Sequence, residues 1–287
     1  SIEDKSKVVS PVSFFISAQT INGNDMLNIY NYASSVKNID DQVIESLTSK
    51  LIENLSIAQN IKKAPPKGCP VIFTPHGLYQ TILSPLLVSF NGTNLSKNLS
   101  RLYKKENEKI FDKKISITDN PFIDYSTSSR NYDAEGITSQ INTLIKRGRF
   151  ISGIFDLKTS SEYNCQSTGS AERSIHSNTF PSTSNLIMDN GETSFDEMVK
   201  QIDEGILVDH LLGSGQGNEL SGDFSANISL GYKIEKGQIV GRVKNTMISG
   251  NSFNALSKVD DITSEIETVY GSLKLPFLQT SNVEISS

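Results

Sequence analysis

The chain has 287 residues, with 27 basic against 32 acidic side chains and a formal net charge of −5. That length buries a sizeable core and accommodates one large domain or two. The basic residues are scattered, and Lys104-Lys105 and Lys113-Lys114 are broken by acids, so the composition argues against direct nucleic-acid binding. No apolar run approaches the ~20 residues that a helix needs to span a bilayer, which argues against a membrane location. Ser1–Ser10 is polar, so no signal peptide is expected. Cys69 and Cys165 form neither a disulfide framework nor a C-x-x-C pair and read as two reduced thiols of a cytoplasmic protein.

In chain order, Val12–Gln19 (V-S-F-F-I-S-A-Q) is strand-like, and Gly23 follows it in a turn cluster. Asp40 or Asp41 caps a helix whose apolar positions Val43, Ile44, Leu47, Leu51, Ile52, Leu55 and Ala58 make one buried stripe. Pro65-Pro66 stops it, because proline cannot donate and disfavours helix in the residue before it. The Pro65-Pro66-Lys67-Gly68 run marks a domain boundary. Val71-Ile72-Phe73 is a short buried strand, and Thr74-Pro75 opens a helix with Leu78, Ile82, Leu86 and Phe90 on one face and a kink at Pro85.

Residues 94–118 are charged and read as mixed helix and loop. Gln140–Ile145 and Phe150–Leu157 read as a hairpin about Lys146-Arg147-Gly148-Arg149. The Ser/Thr/Asn-rich Ser160–Asn185 reads as an exposed loop. Ser194 and Glu197 form a capping box, and the helix they open should run to about Glu204 and end in a left-handed cap at Gly205. Ile206–Leu212 is then a strand, followed by alternating runs cut by Gly and Asn. Leu230–Ile234 and Gln238–Val243 pair across Glu235-Lys236-Gly237. Val283-Glu284-Ile285 is a last strand-like piece. These elements predict an α+β chain: residues 1–66 are the end of an α/β amino-terminal domain, and residues 67–287 a β-rich domain of antiparallel sheets with two packed helices.

The order S-G-D-F-S at 221–225, G-Y-x-I-E-x-G-x-I at 231–239 and M-I-S-G-N at 247–251 resembles the carboxy-terminal half of the TldD/PmbA family, often called modulators of DNA gyrase. Asp133-Ala134-Glu135-Gly136, Ser167-Thr168-Gly169, Ser194–Met198 and Gly205–Gln216 agree with it in order and spacing. The resemblance covers residues 65–287 well and 1–64 loosely, and is strongest to the PmbA (TldE) branch. Members of the family have a longer amino-terminal region and this chain does not begin with methionine, so a fragment or a trimmed product is expected.

The TldD branch is similar to a metallopeptidase with an H-E-x-x-x-H motif at the start of the helix after the Val71–Phe73 strand. Its chemistry needs two imidazoles on a metal and a carboxylate acting on the bound water. Here that slot reads Thr74-Pro75-His76-Gly77-Leu78-Tyr79, and neither cysteine lies near the carboxy terminus to supply a thiolate. The resemblance therefore implies a non-metal subunit with no catalytic residue and no metal ligand of its own. The resemblance further implies pairing with a TldD-like chain that holds zinc or a similar metal, or with a second copy of itself, in a complex acting on peptides or unfolded proteins.

Two alternatives stay open: a stand-alone homodimeric peptide-binding or scaffold protein, and a metallopeptidase whose metal site is gathered from distant residues. His76, at the helix start, is a candidate for the peptide cleft, against the plainer reading of a polar side chain bonding nearby backbone. His210 alternates with Ile206, Val208 and Leu212 and reads as a satisfied, half-buried histidine, and His176 as solvated. Asp133 and Glu135 read as turn residues rather than an acid–base pair. Gly213-Ser214-Gly215-Gln216-Gly217 is followed by β sequence, which argues against a phosphate loop. Gly213 and Gly215 read instead as a backbone edge that accepts a peptide strand. By resemblance, Ser221, Gly222, Asp223 and Asn251 shape the same cleft; the reading as turn residues stands equally.

Overall fold

The strand read at Val12–Gln19 is longer than its alternation suggested, and it has a partner. β1 (Val12–Asn22) pairs antiparallel with β2 (Asp25–Ser35), from Val12 opposite Ser35 to Asn22 opposite Asp25. The computed structural model describes residues 9–287 other than Asn24, Ser214 and Gln216. A two-stranded hairpin is marginal alone, and one face of this one is covered by α1 (Asp41–Ala58). Leu27, Ile29, Leu51 and Ala58 are buried together there, and the Asn31 amide donates to the Leu47 carbonyl at 2.6 Å. Phe15, Ile21 and Met26 stay exposed. The stripe on α1 is narrower than expected, since Val43 and Ile52 face outward. Asp40 is the N-cap by backbone only; its side chain makes no capping bond.

β3 (Ile61–Lys62) precedes the two prolines, and β4 (Val71–Phe73) follows them. Val71 and Phe73 enter one hydrophobic cluster and Ile72 another. That is the two-residue period of a strand buried on both faces. α2 (Pro75–Leu78), a π-helical turn (Tyr79–Leu83) and α3 (Ser84–Phe90) form one continuous rod. The Ser84 amide reaches the Tyr79 carbonyl, five residues back. The wider turn just before Pro85 is how the rod accommodates a ring that cannot donate and crowds the preceding turn.

α4 (Gly92–Ser96), β5 (Ile117–Asp119), β6 (Asn142–Lys146) and β7 (Arg149–Phe150) come next. The β6–β7 hairpin turns at Arg147 and Gly148, both left-handed. Its second arm is only two residues long, not a run to Leu157. Asp156 instead caps α5 (Leu157–Tyr163), accepting from the Thr159 amide at 2.8 Å.

Ser160–Asn185 is an exposed loop only in part, chiefly around residues 173–176. It carries part of α5 and the pair β8 (Ala171–Glu172) and β9 (Phe180–Pro181). Ser160, Thr168, Ser170, Ser184 and Asn185 are buried. Hydroxyls there satisfy one another and the backbone: Thr168 Oγ1 accepts from the Phe155 amide at 2.8 Å and lies 3.0 Å from Ser170 Oγ. Polar composition marked solvation in the sequence, whereas paired hydroxyls are buried at little cost.

β10 (Leu186–Met188) leads to α6 (Phe195–Lys200), whose Ser194–Glu197 capping box is present as read. The helix ends at Gln201, and Gly205 is not its left-handed cap. Gly205 lies inside β11 (Glu204–Leu212), where a Cβ would sit 2.7 Å from Ile202 Cγ2 and 2.8 Å from the Pro70 carbonyl oxygen. Close approach, not a positive φ, requires the glycine.

A 3₁₀ turn (Glu219–Ser221) precedes β12 (Asp223–Glu235), which turns at Lys236 (φ 49°) and Gly237 (φ 72°) into β13 (Gln238–Val243), the hairpin expected. β14 (Met247–Asn251), α7 (Ser252–Ser257), β15 (Asp261–Val269), β16 (Leu273–Thr280) and β17 (Glu284–Ser286) complete the chain.

Among the described residues one sheet of thirteen strands organises the fold, ordered β17-β14-β12-β11-β4-β16-β10-β5-β6-β7, with β13 and β15 beside β12 and β16 and β3 beside β13. Pairing is mostly antiparallel; β4 with β11, β10 with β16 and β3 with β13 are parallel. The architecture is mixed α/β and dominated by its sheet. The larger cluster lies under the α2–α3 rod, and the smaller one under α1, the β1–β2 hairpin and α6. Residues on both sides of Pro65-Pro66 contribute to the smaller cluster. Beyond the two helices expected after residue 66, the helical content is short pieces.

Candidate functional site

The end of β4 meets an irregularity in β11, and a cleft opens there. Ile206 and Val208 of β11 pack in the larger cluster and Leu207 in the smaller, a regular alternation. Pairing with β12 then slips: Val208 opposes Gly231 and His210 opposes Leu230, leaving Asp209 without a partner. Such a bulge re-aims side chains. Asp209 and His210, neighbours that a regular strand would point apart, both line the cleft, while Leu211 returns to the larger cluster. His210 therefore does not share a face with Ile206 and Val208.

The α2 helix starts against this bulge. The Thr74 amide donates to the Val208 carbonyl at 3.0 Å. Thr74 Oγ1 accepts from the Gly77 amide at 3.2 Å as the N-cap and donates to Asp209 Oδ1 at 2.7 Å. Gly77 lies so close to β11 that a Cβ would fall 2.4 Å from the Val208 carbonyl oxygen. The Gln80 side chain ties the rod to the same strand: its Oε1 accepts from the Leu211 amide at 3.0 Å, and its Nε2 donates to the Tyr270 hydroxyl at 3.1 Å.

This approach brings His76 and His210 together, with ring centroids 5.0 Å apart and planes 24° from parallel. Tyr30 meets the His210 ring edge-on at 4.5 Å, and Tyr270 meets His76 at 5.2 Å. His210 is 7% exposed, and neither of its ring nitrogens has an aligned hydrogen-bond partner within the chain. Its Nδ1 is 3.2 Å from Asp209 Oδ2, within ion-pair reach but without hydrogen-bond geometry. His210 is thus not the satisfied histidine expected, and His76 Nδ1 is likewise unpartnered.

Burial pushes the Asp209 carboxyl up, but the field of His210 first, then that of His76 and the hydrogen bond from the Thr74 hydroxyl, outweigh it and hold the group at about 2. Burial dominates at His76, with His210 beside it, and pushes its imidazole down to about 4, so it is neutral at neutral pH.

The cleft has a volume of about 460 Å³. Leu47, Ile57, Leu207 and Phe277 give it apolar walls, and α1, α6 and β15 bring acids to it. Lys50 of α1 pairs with Glu267 of β15 at 2.5 Å across it.

The residues here do not fit the metal site of the TldD branch. Thr74 and Tyr79 are hydroxyl side chains and Pro75 has no donor atom. Imidazole lone pairs lie in the ring planes, so the stacked His76 and His210 aim theirs side by side rather than at one point. Among the described residues no group of three or more His, Cys, Asp or Glu side chains is placed to hold a metal ion. Both cysteines are free; Cys69 is buried, which pushes its thiol up to about 11.

The other candidates lie elsewhere. Gly213, Gly215, Ser221, Gly222, Asp223 and Asn251 do not line the cleft that holds His76. Asn251 Nδ2 donates to Asp223 Oδ1 and to the Ser221 carbonyl, both at 2.8 Å, and its Oδ1 accepts from the Phe253 and Asn254 amides as the N-cap of α7. Arg101 covers the group, 4.4 Å over the Phe253 ring. Gly222 and Gly213 are left-handed turn residues. Ser214 and Gln216 fall outside the described residues. Replacing Asn251 by alanine is expected to cost about 1–2 kcal/mol, through loss of the cap and of both Nδ2 bonds. Urea titration of wild type and variant checks this, and an unchanged midpoint refutes it.

Asp133 is structural as read: its Oδ1 accepts from the Glu135 and Ile137 amides, and its Oδ2 from the Ala171 amide. His176 is exposed. The sequence singled out neither Asp209 nor Tyr30, Lys50 or Tyr270. Asp209-His210 inside an apolar strand was the one available signal, because two adjacent polar residues break a strict alternation.

The fold is similar to that of TldE: the crystal structure of TldE from Thermococcus kodakarensis superposes with a TM-score of 0.84 at 25% identity, over 96% of this chain and 63% of that one. The chain belongs to the PmbA/TldD family. The PmbA/TldA metallopeptidase C-terminal domain matches residues 66–287. Similar proteins include a metalloprotease PmbA homolog of Buchnera aphidicola (26% identical, 85% of this chain, 52% of that one) and an uncharacterized protein of Methanocaldococcus jannaschii (28%, 73% and 49%). The chain spans about half the length of these curated relatives.

Proposed function

We propose that this chain is the TldE/PmbA-like, non-metal subunit of a TldD/TldE-type metallopeptidase complex acting on peptides or unfolded proteins. This chain holds substrate, and a TldD-like partner, carrying zinc or a similar metal, hydrolyses it. The observation that supports this reading is the donor set at the start of α2. The Thr74 hydroxyl is engaged with Asp209 and the Gly77 amide, Pro75 offers no carboxylate, and Tyr79 stands in the place of the second imidazole. The complex is cytoplasmic in this reading; no described helix is long and apolar enough to cross a membrane. The division at Pro65-Pro66 then separates the end of an amino-terminal α/β domain from the β-rich family domain. A second reading, a stand-alone homodimeric peptide-binding or scaffold protein, draws on the exposed Phe15, Ile21 and Met26 of the hairpin, which suit contact with another chain.

The test is reconstitution with an H-E-x-x-x-H chain from the same source. Peptide hydrolysis is expected from the mixture and not from this chain alone, and metal analysis of this chain alone is expected to fall well below one ion per chain. Stoichiometric zinc or iron in the isolated chain would overturn the reading. A stable homodimer that gives no activity on mixing favours the second one.

A further inference from the structure

We propose that the cleft beside His76 and His210 takes an aliphatic primary ammonium group, the amino terminus or a lysine side chain of a peptide, against the carboxylate of Asp209. The peptide in this statement rests on the reading of the cleft as substrate-holding; the ammonium rests on the cleft itself. Five carboxylates line it, those of Glu53, Asp196, Asp209, Glu265 and Glu267, against the single lysine Lys50. That lysine is already paired with Glu267. Glu265 accepts from the Phe195 amide at the start of α6. No lysine or arginine among the described residues pairs with Asp209, whose contacts are the Thr74 hydroxyl and the imidazole of His210.

Acids at a rim are ordinarily solvated and carry little meaning. What singles out this cleft is His210, more than nine-tenths buried, lining the cavity with Nε2 unpartnered and Nδ1 3.2 Å from Asp209 Oδ2 but without hydrogen-bond geometry. Buried polar atoms are rarely left so, and an ammonium donor satisfies an imidazole lone pair and a carboxylate together. Burial keeps the neighbouring His76 neutral at neutral pH, so it adds an acceptor and no repelling charge.

The geometry also separates ammonium from guanidinium. Asp209 Oδ1 is engaged by Thr74, so the carboxylate cannot present both oxygens freely to the two-pronged fork of arginine, whereas a compact ammonium needs only one. Leu47, Ile57, Leu207 and Phe277 provide apolar wall for an aliphatic stem or a peptide's first residues.

The histidines report the site, because the chain has three and His176 is exposed. Tri-alanine with a free amino terminus, titrated at pH 7 into the isolated chain, is expected to shift the ring C–H resonances of His76 and His210 and leave those of His176 in place. Acetylated tri-alanine amide is expected to bind at least about tenfold more weakly. An acetylated tripeptide amide containing one lysine separates the sources: tight binding assigns the side chain and weak binding the amino terminus. Asp209→Asn, which keeps the shape, is expected to erase the difference between free and acetylated peptides. If that variant does not fold, the wild-type comparison decides.

Equal binding of free and acetylated peptides overturns the ammonium site and leaves a peptide cleft standing. No shift at His76 or His210 with any of the peptides overturns the site itself. Neither result bears on hydrolysis after mixing with a TldD-like chain, which tests the subunit reading separately.

Discussion

Gly77→Ala is expected to destabilise the chain by about 2–4 kcal/mol and to lower its melting temperature by roughly 10 °C. The added methyl carbon would lie 2.4 Å from the Val208 carbonyl oxygen and 3.1 Å from its carbon. Both are backbone atoms of a strand in the middle of the sheet. β11 is held by β4 on one side and β12 on the other, so it cannot retreat as a flexible side chain would. The helix start must move instead, and it carries Thr74 and His76 with it. The bond from Thr74 to Asp209 and the stack of His76 on His210 should be lost along with stability. Gly68→Ala is the control: Gly68 has a φ of +77° and nothing within 4 Å of the added carbon, so only the conformational cost of about 1 kcal/mol applies. Thermal and urea unfolding of the two variants separate close approach from backbone angle. Equal costs at the two positions would refute the close-approach account.

His76→Gln is expected to make the protein more tolerant of acid. Burial holds the His76 imidazole down at about 4, against 6.5 for the free side chain. Between those values the unfolded chain binds a proton that the folded chain refuses, so stability falls as pH drops from 6.5 to 4. The gap corresponds to at most about 3 kcal/mol, lessened by the side chain's partial exposure. Glutamine has no such titration. The stability of the variant relative to wild type should therefore rise as pH is lowered through this window and level off below it. Asp209 acts in a different range. Its carboxyl is depressed from 3.8 to about 2, so its contribution is present above 3.8 and is lost as pH falls through 2. His210, Asp209 and Lys50 surround His76 in both proteins, so their effects largely cancel in the comparison. Urea unfolding of both proteins from pH 7 to 3.5 measures the difference, and a difference independent of pH would refute the assignment.

Much of the local structure was legible because the signals are local. The Ser194–Glu197 box, the Lys236-Gly237 turn, the Val71–Phe73 strand and the Thr74 helix start each depend on residues a few positions apart, and each is present. The errors share one cause. Gly205 was read by its conformational freedom, when the approach of Pro70 and Ile202 required it. Composition reads the Ser/Thr-rich stretch from 160 to 185 as solvated throughout, whereas the hydroxyls of Ser160, Thr168, Ser170 and Ser184 belong to buried residues and are hydrogen-bonded. Val43 and Ile52 were read as part of a buried stripe, when the hairpin and sheet cover only one side of α1. In each case the deciding partner lies far along the chain.

Residue types and their spacing alone determined the family domain, the order of its main elements, and the hydroxyl, imide and phenol groups around the start of α2. Only the tertiary structure decided what stands opposite that helix start. His76, Asp209 and His210 come from a helix start and a strand more than a hundred residues apart in sequence. The slip of register at Asp209, where β11 pairs with β12, turns two adjacent side chains toward one cleft. Alternation in a strand is a local rule, and a bulge breaks it according to how the strand pairs with its neighbour, which no window of sequence contains.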